Sequence, residues 1–176
     1  MRNMLTQTSA KHQRLQQQND TWSPPPPHTY KINWDATIDK MKCKVGIRII
    51  VRDHSGLVVA SSRLNISLYP EPFLAEAIGA LEASRLGNHL GLTKIILEGD
   101  SFQVIQAING KGKNWSSTGM IIDDIKGQLS TLESWSAIHI CREGNKATHV
   151  LAKNAFVNST SSLDVDSIPS CITNFI

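Results

Sequence analysis

Cysteine, strong net charge and long apolar runs are all in short supply in this sequence, and each shortage excludes something. Only Cys43, Cys141 and Cys171 are present. They are odd in number and spaced like neither a disulfide framework nor a zinc site, so they read as reduced thiols of an intracellular protein, with nucleus and cytoplasm undistinguished. No uninterrupted apolar stretch approaches the roughly 18 residues of a membrane-spanning helix. The amino end shows no apolar core of a secretory signal. Lys and Arg number 18 against 15 for Asp and Glu, and Arg2, Lys11 and Arg14 against Asp20 carry most of that small excess. The remainder is nearly neutral, so any nucleic-acid binding must come from a local groove rather than a global positive field.

What is present suits one domain with tails, since 176 residues bury a core but leave little room for a second. Residues 1–27 hold Gln16-Gln17-Gln18 and Pro24-Pro25-Pro26-Pro27 with almost nothing to bury, which is the composition of a disordered or polyproline linker. The domain is expected over 28–158 and a Ser-rich tail over 159–176.

Within the domain, Ile32 and Trp34 alternate with Asn33 and Asp35, the period of a half-buried strand. Val45–Val51 and Leu57–Ala60 flank Asp53-His54-Ser55-Gly56, a tight-turn composition, and predict a hairpin. Pro70-Glu71-Pro72 then opens a helix in which Leu74, Ala77, Ile78 and Leu81 form an apolar stripe, while Glu76 heads a second face of small residues, Ala80, Ala83 and Gly87. Thr93–Leu97 reads as a buried strand ending in Glu98-Gly99-Asp100-Ser101, and the Ile105, Ile108 spacing beyond it as a helix closed at Asn109-Gly110. Ile121, Ile122, Ile125, Leu129 and Leu132 mark another helix. Trp135, Ala137, Ile138 and Ile140 mark a last strand, and Gly144-Asn145 caps a last helix carrying Ala147, Val150, Leu151 and Ala155. The order of elements predicts an α/β domain, a mixed sheet with helices on its faces.

Three acids occupy awkward positions: Asp35 inside a strand, Glu76 early in a helix and Asp100 at a strand's carboxyl end, where ligands collect in open α/β sheets. Two of them have a purely structural alternative. Asp100 and Gln103 have the spacing of a capping box, and Glu76 would complement the dipole in a first helical turn. No basic residue is evidently reserved for the three. A cluster of carboxylate oxygens suits Mg²⁺, and two such ions about 3.5 to 4 Å apart serve phosphodiester hydrolysis. That one arrangement accounts for all three positions together.

Four segments carry a family resemblance in this order: Lys31-Ile32-Asn33-Trp34-Asp35-Ala36-Thr37, Ala75-Glu76-Ala77-Ile78-Gly79-Ala80-Leu81, Leu97-Glu98-Gly99-Asp100-Ser101, and Arg142-Glu143-Gly144-Asn145-Lys146-Ala147-Thr148-His149-Val150-Leu151-Ala152-Lys153. From about Lys31 to Phe156 the chain resembles type 1 ribonucleases H, particularly a plant branch related to retroelement reverse transcriptases. The resemblance implies a five-stranded mixed sheet, its first three strands antiparallel, flanked by helices. It implies a metal-dependent endonuclease that cleaves the RNA strand of RNA/DNA hybrids, acting as a monomer away from membranes. Asp35, Glu76 and Asp100 match the metal-binding carboxylates, for two Mg²⁺ or Mn²⁺ ions. A weakened or inactive module that binds nucleic acid or a protein partner is the alternative.

The fourth segment departs from the family, with His149 where many active members carry Asp. Imidazole suits Mn²⁺ better than Mg²⁺, so His149 at a catalytic position implies slow or Mn²⁺-preferring cleavage; an exposed first-turn histidine with no ligand role is the other reading. The chain lacks a long basic protrusion. Lys111, Lys113, Trp115 and Asn145 are the expected nucleic-acid contacts, the first three on a loop that would meet a phosphate backbone or a base, with modest and salt-dependent affinity. The ligand reading of His149 predicts that His149→Asp raises the Mg²⁺-dependent cleavage rate of a labelled hybrid; an unchanged rate rules it out.

Overall fold

The computed structural model describes residues 22–69, 71–112, 116–146, 148 and 162–165. Alternation over the first segment becomes strand β1 (Tyr30–Asp39), followed antiparallel by β2 (Lys44–Arg52) and β3 (Val58–Ser67). The β2–β3 turn is built as its composition predicts. Asp53 Oδ1 accepts from the Ser55 and Leu57 amides, both at 2.9 Å, and Gly56 supplies the positive φ of +82° that a side chain resists.

Helix α1 (Pro72–His89) begins where the proline cluster predicts, and Glu71 caps it by accepting from the Phe73 and Leu74 amides at 3.0 and 2.6 Å. The chain then enters β4 (Lys94–Gly99), parallel to β1, passes through α2 (Phe102–Asn109) and α3 (Ser117–Ser130), and returns as β5 (Ser134–His139), parallel to β4. The sheet order is β5-β4-β1-β2-β3-β6.

The sixth strand, β6 (Ser162–Val165), lies within the stretch expected to be a tail and pairs antiparallel with β3. Its short polar sequence carries little strand signal. The open edge of β3 supplies the backbone partners, and Arg63 holds it by donating to Ser162 Oγ at 2.9 Å and pairing with Asp164 at 3.7 Å. At the other end, Trp22 and Pro25 fall in the stretch expected as a linker over 1–27, and Trp22 is half-buried against the sheet while Pro25 is buried.

The core lies between one face of the sheet and the helices. Ile32 and Trp34 of β1, Ile95 and Leu97 of β4, and Ile47 and Ile49 of β2 meet Ala77, Ala80, Leu81 and Ala83 of α1, with Ile108, Ile125 and Leu129 closing it. The small-residue face of α1 has a specific purpose. The fully buried Trp34 ring lies against Gly79 and Gly99, and Ile32 against Gly87. A Cβ at Gly79 or Gly87 would stand 2.8 Å from Trp34 Cδ1 or 2.9 Å from Ile32 Cδ1, and one at Gly99 would collide with the Trp34 ring.

Gly99→Ala is therefore expected to destabilise the fold by about 1–3 kcal/mol through overpacking. Gly127→Ala, in α3 with open space around it, is expected to stabilise it by about 0.5–1 kcal/mol. Urea denaturation of the two variants checks both signs.

Candidate metal centre

β1, α1 and β4 each deliver one carboxylate to the same place. Asp35 is 2% exposed in the middle of β1. Glu76 is the fifth residue of α1, and Asp100 follows directly on the last residue of β4. One carboxylate oxygen from each of the three lies within 4.8 Å of the other two.

Both structural alternatives for these acids give way. Asp100 does not cap α2, because Ser101 is the N-cap residue and no side chain closes a cap bond there. Glu76 is not a first-turn acid, since the first turn of α1 has none and the cap belongs to Glu71. Asp100 contributes instead through its backbone, whose carbonyl accepts from His139 Nε2 at 3.1 Å. The His139 ring also meets Phe102 edge-on, with centroids 5.6 Å apart.

The electrostatics are those of carboxylates held close together out of water. Burial pushes the Glu76 carboxyl well above its ordinary value of 4.5, and the adjacent charges of Asp100 and Asp35 push it further. The Ala36 amide and the Trp34 indole offset part of this. Glu76 Oε2 is out of solvent and has no hydrogen-bond partner among the described residues. An all-oxygen donor set with a buried, unpartnered carboxylate oxygen fits a hard divalent cation.

A cation that sequence reading did not assign sits beside this cluster. Arg48, fully buried, is the register partner of Asp35 across the β1–β2 ladder, and its Nη1 donates to the Leu64 carbonyl at 3.0 Å and to the Ile47 carbonyl. Antiparallel register is the only signal for it, and register is not visible in either strand alone.

The remaining candidates divide. Asn145, expected as a nucleic-acid contact, is 2% exposed and donates from Nδ2 to the Trp34 carbonyl at 2.8 Å. That bond ties the 142–145 turn to β1, and the last helix expected beyond it lies outside the described residues. Lys111 is exposed in the loop after α2, whose start is tied down by Lys126 Nζ donating to the Gly110 carbonyl at 2.6 Å. Lys113, Trp115 and His149 lie outside the described residues.

The raised Glu76 pKa carries a sign. The folded state keeps this proton to higher pH than the unfolded chain does, so in the absence of metal, stability falls as pH rises from about 4.5 through the folded value. Glu76→Gln is expected to raise the urea midpoint of the metal-free protein, more at pH 8 than at pH 5, and, if the three acids hold a cation, to remove the stabilisation by added Mg²⁺ or Mn²⁺. Paired denaturation curves with and without metal at the two pH values test this.

Comparison with known proteins agrees with the architecture. A ribonuclease H1 from Halobacterium salinarum superposes with a TM-score of 0.67 at 19% identity, covering 74% of this chain and 98% of that one. The N-terminal ribonuclease H domain of a Mycobacterium tuberculosis protein gives 0.66 at 19%, covering 73% and 94%. The compost-derived LC11 ribonuclease H1, in a structure with an RNA/DNA hybrid, gives 0.59 at 17%, covering 74% and 98%. At these identities the likeness establishes the fold, a ribonuclease H-like mixed sheet flanked by helices. No curated protein matches the sequence. The family model described as reverse transcriptase-like matches residues 33–155, which takes in all three acids and the sheet that carries them, and the chain belongs to that family.

Proposed function

We propose that this protein is a metal-dependent endonuclease that hydrolyses the RNA strand of RNA/DNA hybrids. The observation that carries the reading is the convergence of Asp35, Glu76 and Asp100 within 4.8 Å, with Glu76 Oε2 buried and without a hydrogen-bond partner among the described residues. Such a donor set is costly to keep without a cation. The ribonuclease H-like fold and a structural neighbour solved with an RNA/DNA hybrid point to the substrate.

Asp35, Glu76 and Asp100 would hold one or two Mg²⁺ or Mn²⁺ ions. Bound ions of this kind polarise the phosphate and activate water for attack. The protein's own contribution is positional. β1 and β4 fix two carboxylates at neighbouring parallel strands, and α1 brings the third from the layer above. The Asp100 backbone, held by His139, limits how far that carboxylate can swing. Selection of a hybrid would come from its shape and 2′-hydroxyls, as A-form-like duplexes are read across the minor groove rather than by base sequence. Lys111 and Lys113 with Trp115 would supply backbone contact at the edge, and His149 the fourth position around the metal.

Arg48 favours a second reading. A buried cation opposite Asp35 opposes the binding of another positive charge nearby, which suits a module that binds nucleic acid with weak cleavage or none. One experiment separates the two. Purified protein is incubated with a hybrid labelled on its RNA strand, in Mg²⁺ or Mn²⁺, alongside Asp100→Asn. Endonuclease function predicts RNA-strand cleavage that falls on the order of 10²-fold or more in the variant. Binding without cleavage supports the second reading, and cleavage unaffected by the substitution rejects the site.

A further inference from the structure

A second polar cluster, also buried, lies on the face of the sheet opposite α1 and involves residues that precede the family-matched region, 33–155. Asn33 and Glu98 are register partners on the parallel strands β1 and β4, and Asn33 Nδ2 donates to Glu98 Oε2 at 2.8 Å. The other oxygen of Glu98 pairs with Lys31 Nζ at 3.0 Å. Both partners are almost fully buried, an arrangement that is costly unless every remaining donor and acceptor is satisfied.

Trp22 and Ser23 provide that satisfaction. The Trp22 indole N–H donates to Asn33 Oδ1 at 3.1 Å, and the Ser23 carbonyl accepts from Lys31 Nζ at 2.6 Å. The indole ring lies under two cations, with Arg52 Cζ 4.4 Å and Lys31 Nζ 5.2 Å from its centroid. Arg52 also donates to Asn33 Oδ1 at 3.3 Å. Burial pulls the Arg52 guanidinium down to about 10 against the attraction of Glu98. The edge of the ring reaches the Gly56 turn, within 3.6 Å of where a Cβ would stand.

The position of this cluster links it to the acids. Asn33 is two residues before Asp35 on β1, and Glu98 two residues before Asp100 at the end of β4, a rise of about 6.5 Å along each strand. The side-chain bond between Asn33 and Glu98 therefore ties together the two strands that present Asp35 and Asp100, one pleat below them. We propose that Trp22 is a positioning residue for the metal centre: seated on Asn33, Lys31 and Arg52, it locks the β1–β4 crosslink that sets the separation of Asp35 and Asp100. The inference rests on the metal-site reading above. It also makes the segment beginning at Trp22 part of the working domain.

The test uses the full chain with Trp22→Ala and Trp22→Phe, the second keeping a ring under the cations but losing the N–H. Thermal unfolding is followed across a Mn²⁺ and a Mg²⁺ titration, and hybrid cleavage across the same metal range. The metal concentration giving half of the maximal thermal shift should rise several-fold, up to about 10-fold, in Trp22→Ala, and by less in Trp22→Phe. The half-maximal metal concentration for cleavage should move in parallel, while KM for the hybrid stays unchanged. Should Trp22→Ala fail to fold, Trp22→Phe alone decides. Lower stability with an unchanged metal midpoint in the folded variants overturns the proposal and leaves Trp22 a structural strap. A parent protein that shows no metal-dependent shift overturns the metal-site reading itself and this inference with it.

Discussion

The fit of the Trp34 ring between Gly79 and Gly99 is the contact on which the rest of the structure depends. Each of the three acids is placed by a residue of this contact. Asp35 follows Trp34 along β1, Asp100 follows Gly99 on β4, and Glu76 lies three residues before Gly79, about one turn away on α1. A buried indole without space for a Cβ on either side leaves the helix and the two strands one relative position. The fold thereby fixes three negative groups against each other before any cation is present. Their mutual repulsion is written into the raised Glu76 carboxyl.

Compensation for that repulsion is arranged around the acids rather than among them. On the face away from α1, cations lie beneath or beside the acid-bearing strands. Lys31 is paired with Glu98, Arg52 lies against Trp22 and Asn33, and Arg48 is opposite Asp35. Fully buried arginine and lysine are uncommon, and here each has carbonyl, carboxylate or aromatic partners. The sheet thus has an apolar face that packs the helices and a polar, internally neutralised face below the acids.

Much of this was legible in the sequence for local reasons. Strand alternation in β1, the turn at Asp53–Gly56, the proline-marked start of α1 and the glycine-marked end of α2 are short-range signals, and they came out where their chemistry placed them. Asp35, Glu76 and Asp100 stood out because each sat where an acid is locally disfavoured or unexplained. The local explanations offered for two of them were the part that failed. A capping box at Asp100 and a dipole role for Glu76 both depend on the helix starting one or two residues from where it does, and local spacing does not fix a helix start to the residue. Glu71 wins at α1 because its carboxylate reaches two free amides.

What the sequence determined by itself was the order and type of the elements from β1 to β5, the small-residue face of α1 and the identity of three acids in search of a common partner. Only the tertiary structure decided that their carboxylates meet, that Asn145 turns inward to Trp34, that Arg48 stands opposite Asp35, and that β6 and the Trp22 segment join the sheet. Those outcomes rest on strand register, on an open sheet edge and on which buried polar groups remain to be satisfied. Each is a relation between residues distant in the chain, and periodicity within one segment carries no information about it. The stretch from Ile95 to Asp100 shows both sides: its apolar run specified a buried strand, while the company of the acid at its end was decided by β1 and α1.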